Sequence, residues 1–546
     1  MNDFVQVILD GIGVFSIVLG RDFVSSGFLH SSLYLLLRNL ICSRSEIRIA
    51  SDAVLRVLSI SFGHATVGEF VVANADYIID SLCRQLRHLD INPHVPDVLA
   101  AMLSYIGTAR DILPLLEEPM RAVSSELEVL GRHQNPNLTM PFLKAMGEIS
   151  KASKSEAILL PNEAESCNAD VSTKVHMIQN WFEENNMDAS SLCTKSLSIE
   201  KGPIDFDDAT LRLEYWEQLM IRLNEMKRYR RIVGSLVGSC LKAATPLVSS
   251  KNGSACLVAL DIIEDVSISL AKVEEAYKHE KQTKVTIGEA IQMLSLNALK
   301  DEMGAQDEEA DENRVLPAMN KIWPYLIVCL KNKVSVSAIR KCLNLLHKVV
   351  QIGGGDFFVR RFHNDGHIIW KLLTSFPFQR KQMLLDEKRI LLPYRDTSLT
   401  LEAPIAEVSN QKIQVAVLDM ITMMCANKRT SSALKVALKK VSGIVVGIAC
   451  SRTAGLRDSS MRALSGLARI DSDLIWLLLA DVYYSLNKHD DIVPPNQDLA
   501  GISDLLPAPS SSKEYMFANN AGENFSIDVD PSSVEFVFKT MELEVF

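Results

Sequence analysis

LPAMNKIWPYLIVCLKNKVSVSAIRKCLNLLHKVV, running from Leu316 to Val350, decides the fold class. It reads as two amphipathic helices joined by a polar turn at Lys331–Lys333. In the second helix Val336, Ile339, Leu343, Leu346 and Val350 fall on one stripe, the spacing of a helix that buries one face. A pair of this kind cannot cover its own apolar surface; it needs another pair on either side. The sequence therefore predicts an all-α protein, a HEAT/ARM-type α-solenoid of degenerate helix pairs.

Composition agrees with that expectation. The 546 residues are 47% hydrophobic and 23% charged but only 6% aromatic, so the core must come mainly from Leu, Ile, Val, Ala and Met. A net charge of −10 opposes a general nucleic-acid-binding role, which calls for a basic face. The ten cysteines include no C-x-x-C pair, and most lie on apolar helical stripes. They read as small hydrophobes in a reducing compartment, not as zinc ligands or a disulfide framework. No membrane span is visible, since Phe23–Leu37 is the longest uncharged run and polar residues interrupt it. Asp3 and Asp10 sit where a signal peptide carries basic residues, and the first twenty residues read as an amphipathic helix without a polar cap, as though the chain starts within an array.

Five boundaries divide the chain. Residues 1–150 read as helical repeats, with Ile47, Ala50, Val54, Val57 and Ile60 at helical spacing, a second helix over Val71–Arg87, and one over Val98–Ile106 capped by Asp97. Residues 151–210 are rich in Ser, Glu, Asn and Asp, and are expected to be a polar, partly disordered insertion around one helix at Val175–Asn185. Residues 211–300 return to helical repeats, 301–313 form an acidic linker, and 314–487 hold the clearest HEAT-type repeats. Residues 488–546 make a Pro/Ser-rich tail, whose end from Pro531 is expected either to form a terminal helix or to dock extended. Within 314–487 three second-helix candidates align: Val336–Val350, Ile413–Met424 and Met461–Ala468. The first and third carry Arg340 and Arg462 early, where a basic residue reaches an acidic partner in the preceding turn; Arg380–Glu407 interrupts the series.

The chemistry-bearing patterns have structural readings. Gly353-Gly354-Gly355 follows a helix and not a strand, so it reads as helix punctuation with Asp356 capping the next helix, not a phosphate loop. His363 and His367 flank Asn364-Asp365-Gly366, which reads as a turn, and no third metal ligand is near. Asp471-Ser472-Asp473 reads as a helix N-cap. No strained nucleophile motif is present, and Asp207-Asp208 reads as a helix-start charge cluster, so the sequence points away from an enzyme and from any metal or cofactor. The candidate partner-binding residues are the basic run Lys227, Arg228, Tyr229, Arg230 and Arg231, which is either a solvated helix face or a patch for an acidic partner, together with Trp323. Trp181, Trp216 and Trp370 are the other large aromatics to place.

Asn74-Ala75-Asp76-Tyr77-Ile78-Ile79-Asp80-Ser81, then Leu86-Arg87-His88-Leu89, the break at Pro93 and Pro96, and Val98-Leu99-Ala100-Ala101-Met102-Leu103 resemble a stretch of the Tel-two-interacting protein one family. Ile322-Trp323-Pro324 through Arg340 to Phe358-Val359-Arg360-Arg361-Phe362 resembles that family's carboxy-terminal HEAT region. Family members are longer, so the resemblance implies a carboxy-terminal portion. It also implies a non-enzymatic scaffold with no catalytic residues, partnered by the Tel-two subunit and the third subunit of the TTT complex. That complex would serve phosphatidylinositol-3-kinase-related kinases of the TOR, ATM and ATR type with heat-shock chaperone adaptors, in the cytoplasm and also in the nucleus. Generic HEAT/ARM adaptors, of the transport-receptor or phosphatase-scaffold kind, are the alternative. The first would show regularly spaced acidic inner-helix residues and the second more regular repeats, and neither is evident here.

Overall fold

A computed structural model describes residues 2–86, 94–133, 136–184, 213–294, 314–332, 335–373, 399–451, 454–486, 518–520, 523–525 and 530–544, with Asn92, Leu296 and Leu299. The chain divides into two compact units.

The first unit comprises Met1–Leu247 and Asp261–Ala318. Its helices are α1 (Asn2–Leu19), α2 (Arg21–Ser25), α3 (Phe28–Asn39), α4 (Ser45–Ser61), α5 (Val67–Ala73), α6 (Ala75–Leu86), α7 (Val95–Ala100), α8 (Ala109–His133), α9 (Pro136–Glu184), α10 (Leu213–Ala244) and most of α11 (Gly253–Met293). Short helices start where side chains satisfy their first amide groups. Thr66 Oγ1 accepts from Glu69 N at 3.1 Å, while Glu69 Oε2 accepts from Ala65 N at 3.0 Å, a reciprocal cap for α5. The pattern over 71–87 is not one helix but two, because α5 ends at Asn74, whose amide turns back to Phe70 O at 2.8 Å. α7 begins with Pro96 in its first turn and continues as a π-helical turn, Ala101–Tyr105.

The main departure from the sequence expectation is α9. Residues 151–184 are not an insertion; they lie inside one helix. Ala152, Ala157, Leu160, Ala164, Cys167, Val171, Val175 and Ile178 are buried, three to five residues apart. The stripe is helical but built partly from Ala and Cys, with exposed Ser155, Asn162, Glu165 and Ser166 between its members. Small buried residues carry little hydropathy, so composition hid the periodicity. Residues 185–210 lie outside the described residues, as does the acidic segment 301–313.

The second unit comprises Val248–Leu260 and Met319–Phe546. It contains the larger part of α12 (Val315–Asn332), then α13 (Val336–Gly353), α14 (Gly355–Leu373), α15 (Leu399–Ala426) and α16 (Lys428–Ser431). A 3-10 segment, Ser432–Ala437, leads into α17 (Leu438–Ala449), followed by α18 (Arg457–Ala468), α19 (Ser472–Leu486) and α20 (Pro531–Glu544). The only described strands, β1 (Ala518–Asn520) and β2 (Glu523–Phe525), pair antiparallel with Ala518 opposite Phe525.

The opening stretch folds as two helices, α12 and α13; the expected turn at Lys331–Lys333 is helical at Lys331 and Asn332, its last residue lies outside the described residues, and Ser335 Oγ caps α13 by accepting from Ala338 N at 3.1 Å. The three second-helix candidates correspond to α13, α15 and α18, which pack side by side in a row. Behind them α14 packs on the Ser432–Ala437 segment, and α17 packs on α18 and α19. This two-layered stacking of helix pairs is the α-solenoid arrangement. Gly354 closes α13 at φ +89°, a left-handed conformation that favours glycine, so the Gly-Gly-Gly run is helix punctuation, with α14 starting at Gly355. Asp471 Oδ1 caps α19 through Leu474 N at 3.0 Å, as its position suggested. Arg380–Glu407 is divided: 374–398 lie outside the described residues and 399–407 are helical. In the tail, 487–517 lie outside the described residues, and the terminal segment is a helix: α20 buries Val534, Val537 and Met541 and stacks Phe538 on Tyr483 at 4.4 Å.

Candidate interaction surfaces

The basic run lies in the middle of α10. Successive helical residues are about 100° apart, so five in a row sweep the whole circumference and cannot form one face. The structure divides them accordingly: Arg228 and Arg231 are exposed, Lys227 and Tyr229 are half-buried, and Arg230 is 8% exposed. Burial, followed by Lys284 nearby, lowers the pKa of Lys227. Tyr229 donates its hydroxyl to Glu156 Oε2 at 2.9 Å, and the Arg110 guanidinium lies over its ring at 5.2 Å. Burial, reinforced by the Glu156 carboxylate, pushes the phenol up. Arg110 in turn grips Glu163 with two hydrogen bonds, of 2.6 and 3.1 Å. Arg230 donates Nε–H to Glu280 Oε2 at 2.8 Å and lies 5.0 Å from the Tyr277 ring centroid. Tyr229 and Arg230 are thus fasteners joining α10 to α9 and α11.

A cavity beside these groups is lined by Arg110, Glu163, Arg222, Glu225, Tyr229 and Glu280 among others. It mixes both signs of charge and therefore selects no single ionic ligand. Burial pushes the Glu280 carboxyl up, against the pull of Arg230, its close partner. We read the pair as charged, because the 2.8 Å contact joins an acceptor to a guanidinium that keeps its proton at any ordinary pH.

Trp323 is fully buried. Its indole N–H donates to Asp365 Oδ2 at 2.8 Å, and its ring lies 5.1 Å from Phe358 and 5.3 Å from Phe362. It is a core residue joining α12 to α14 and offers no surface to a partner. Trp216 and Trp370 are buried likewise, and the Trp181 side chain lies outside the described residues.

The bond to Trp323 also explains the correction at Asn364-Asp365-Gly366, which continues α14 and forms no turn. Asp365 is held by Trp323, and Gly366 is placed so that a Cβ would come within 3.0 Å of Trp370 Nε1. That glycine serves close approach. His363 and His367 are therefore one turn apart on a helix, but among the described residues no group of three or more potential ligands is assembled.

Sequence reading did not find Asp419. Arg462 reaches it across the row from α18 to α15, Nη2 to Oδ1, at 3.0 Å, instead of an acid in its own preceding turn. Forty-three positions separate the two, so spacing carried no signal of the contact. Arg340 and Lys341 line the adjoining groove between α13 and α15.

By length and composition, one helical stretch, Leu213–Ser249, is apolar enough to cross a membrane, but 61% of that window is buried within the fold. Its apolar residues, Trp216, Leu219, Leu223, Val233 and Leu236, belong to the core.

Stacked helix pairs with polar seams and shallow surface grooves define a protein of the HEAT/ARM α-solenoid class. The family model of TELO2-interacting protein 1 matches residues 33–124. The TELO2-interacting protein 1 homolog of Mus musculus is 22% identical over 493 residues, which is 87% of this chain and 38% of the relative. The Homo sapiens homolog is 20% identical over 512 residues, 90% of this chain and 40% of the relative. The chain is thus similar to the TELO2-interacting protein 1 proteins, and spans about two fifths of the length of those it matches. Among solved structures, Kap121p bound to Pho4p aligns over 100% of this chain and 52% of its own, at 11% identity and a TM-score of 0.23. That score is below what a shared arrangement over the full length produces.

Proposed function

We propose that the chain is a non-enzymatic scaffold that binds a Tel-two-type subunit and works within a TTT-type complex, with its third subunit, in the cytoplasm and also in the nucleus. Through that complex it supports the stability and maturation of phosphatidylinositol-3-kinase-related kinases together with heat-shock chaperone adaptors. The observation that carries this reading is the similarity to TELO2-interacting protein 1 relatives along 87–90% of the chain. The chemistry of the fold is compatible with it: Tyr229 and Arg230 use their polar groups to hold α10 to α9 and α11. A stack of helix pairs supplies broad surface at low structural cost.

Affinity purification of the tagged full chain from its own cells tests the reading. Recovery of a Tel-two-type subunit together with kinases of the related class is expected. Recovery of nuclear pore components, or of phosphatase subunits, without them would overturn it in favour of another adaptor class.

A further inference from the structure

We propose that the outer face of the α13–α15–α18 row in the second unit is a docking surface for an acidic amphipathic helix of a partner protein. The face has a floor and two rims. The floor is α15, where Val415, Ala416 and Met423 lie at helical spacing and Met423 is 38% exposed. One rim is α13, with Arg340 exposed and Lys341 and Lys348 half-buried along the same side. The other rim is α18, where Arg462 and Arg469 are exposed and seven residues, two turns, apart. Lys412, one turn before Ala416, extends the cationic side of the floor.

Among the described residues, Arg340 and Lys341 line the groove with Asp419 and Arg462 reaches in from α18, while Lys412 is exposed one turn away, on a chain whose net charge is −10. Such segregation of charge against the average marks a surface that attracts an anionic partner. The arrangement favours a polypeptide over nucleic acid. Asp419 stands in the middle of the groove with its side chain 42% exposed, in the path a phosphate backbone would follow. An acidic amphipathic helix fits better: its apolar stripe rests on Val415, Ala416 and Met423, and its flanking carboxylates meet the two basic rims. That is the helix-in-groove mode of recognition with charged edges. The chemistry of this groove is independent of which complex the chain joins.

The test uses the full chain and a fluorescent amphipathic peptide of about four helical turns, with leucines on one stripe and glutamates flanking it. Comparators are the same composition with the stripe scrambled, a lysine-for-glutamate version, a single-stranded oligonucleotide, and vesicles containing phosphatidylserine. Anisotropy titrations should show saturable binding of the glutamate peptide, weakening with salt, and weaker binding of the scrambled and lysine peptides. Arg340→Glu with Lys412→Glu should weaken it at least about tenfold. Both residues are exposed, so circular dichroism and thermal midpoint should stay unchanged. Met423→Glu should weaken binding through the floor, while Arg228→Glu, on the other unit, should leave it intact. Equal affinity of wild type and the Arg340/Lys412 variant overturns the proposal. So does tighter binding of the oligonucleotide or the vesicles, which would reassign the surface to phosphate.

Discussion

A single half-buried carboxylate shows how much one residue can carry. Asp481 lies in α19, its Oδ2 buried and without a hydrogen-bond partner among the described residues, and burial pushes its pKa from 3.8 to about 6. The native state therefore holds this proton to a higher pH than the unfolded chain does. The group's contribution to stability is complete below pH 3.8, falls as pH rises and is lost past about 6, where ionisation must occur without a partner. Asp481→Asn removes the ionisation. We predict a thermal midpoint above that of the wild type at pH near 7.5, with the gap closing as pH approaches about 4. Thermal scans of both proteins across that range check it, and a gap independent of pH would refute the assignment. The contrast with Arg230 is instructive. Arg230 meets Glu280 fifty positions away, whereas Asp481 Oδ2 has no hydrogen-bond partner among the described residues. Partnership between distant residues is set by how helices stack, and local spacing does not encode it. Lys227–Arg231, readable as a solvated face or as a patch, is neither, because the helix distributes it around its axis.

At the scale of one element, α9 separates hydropathy from structural importance. Ile158 and Leu159 are 42% and 48% exposed, whereas their neighbour Ala157 is fully buried and Ala164 nearly so. The large apolar residues can be exchanged and the small ones cannot. Ile158→Gln with Leu159→Gln should change stability by no more than about 0.5 kcal/mol each. Ala157→Leu should cost about 1–3 kcal/mol, because the added methylenes enter a packed seam. Thermal midpoints of the two variants provide the comparison, and a larger loss from the glutamine pair would show that the stripe is assigned to the wrong face. This also explains the uneven legibility of the fold. α13, whose seam is mostly Ile, Leu and Val with Ala338 and Cys342 among them, could be read from periodicity. α9, seamed partly with Ala and Cys, looked like an insertion. Where a helix buries large residues the sequence displays the stripe; where it packs closely through small ones, the evidence lies in its neighbours.

On the scale of the molecule, stacked helix pairs make a specific demand on cooperativity. Each pair leans mainly on its neighbours, so stability is close to a sum of local contributions and interfaces, and damage should stay near its origin. Leu464 is fully buried in α18, which packs against α15, α17 and α19. Leu464→Ala should cost about 2–5 kcal/mol through lost burial and a residual cavity. In hydrogen exchange resolved by peptide, we expect faster exchange at the amides of α15, α17, α18 and α19. Those of α3, α4 and α8, which belong to the first unit, should keep wild-type protection. Acceleration of equal size throughout the chain would mean that the two units open as a single cooperative body, and nearest-neighbour stacking would then fail as the account of what stabilises this fold. The same experiment bears on the groove. Its rims and floor come from three separate helices of one row, so a lesion that loosens α18 should weaken an acidic peptide without touching any residue that contacts it. Binding in such a protein depends on the stack that holds its surface together.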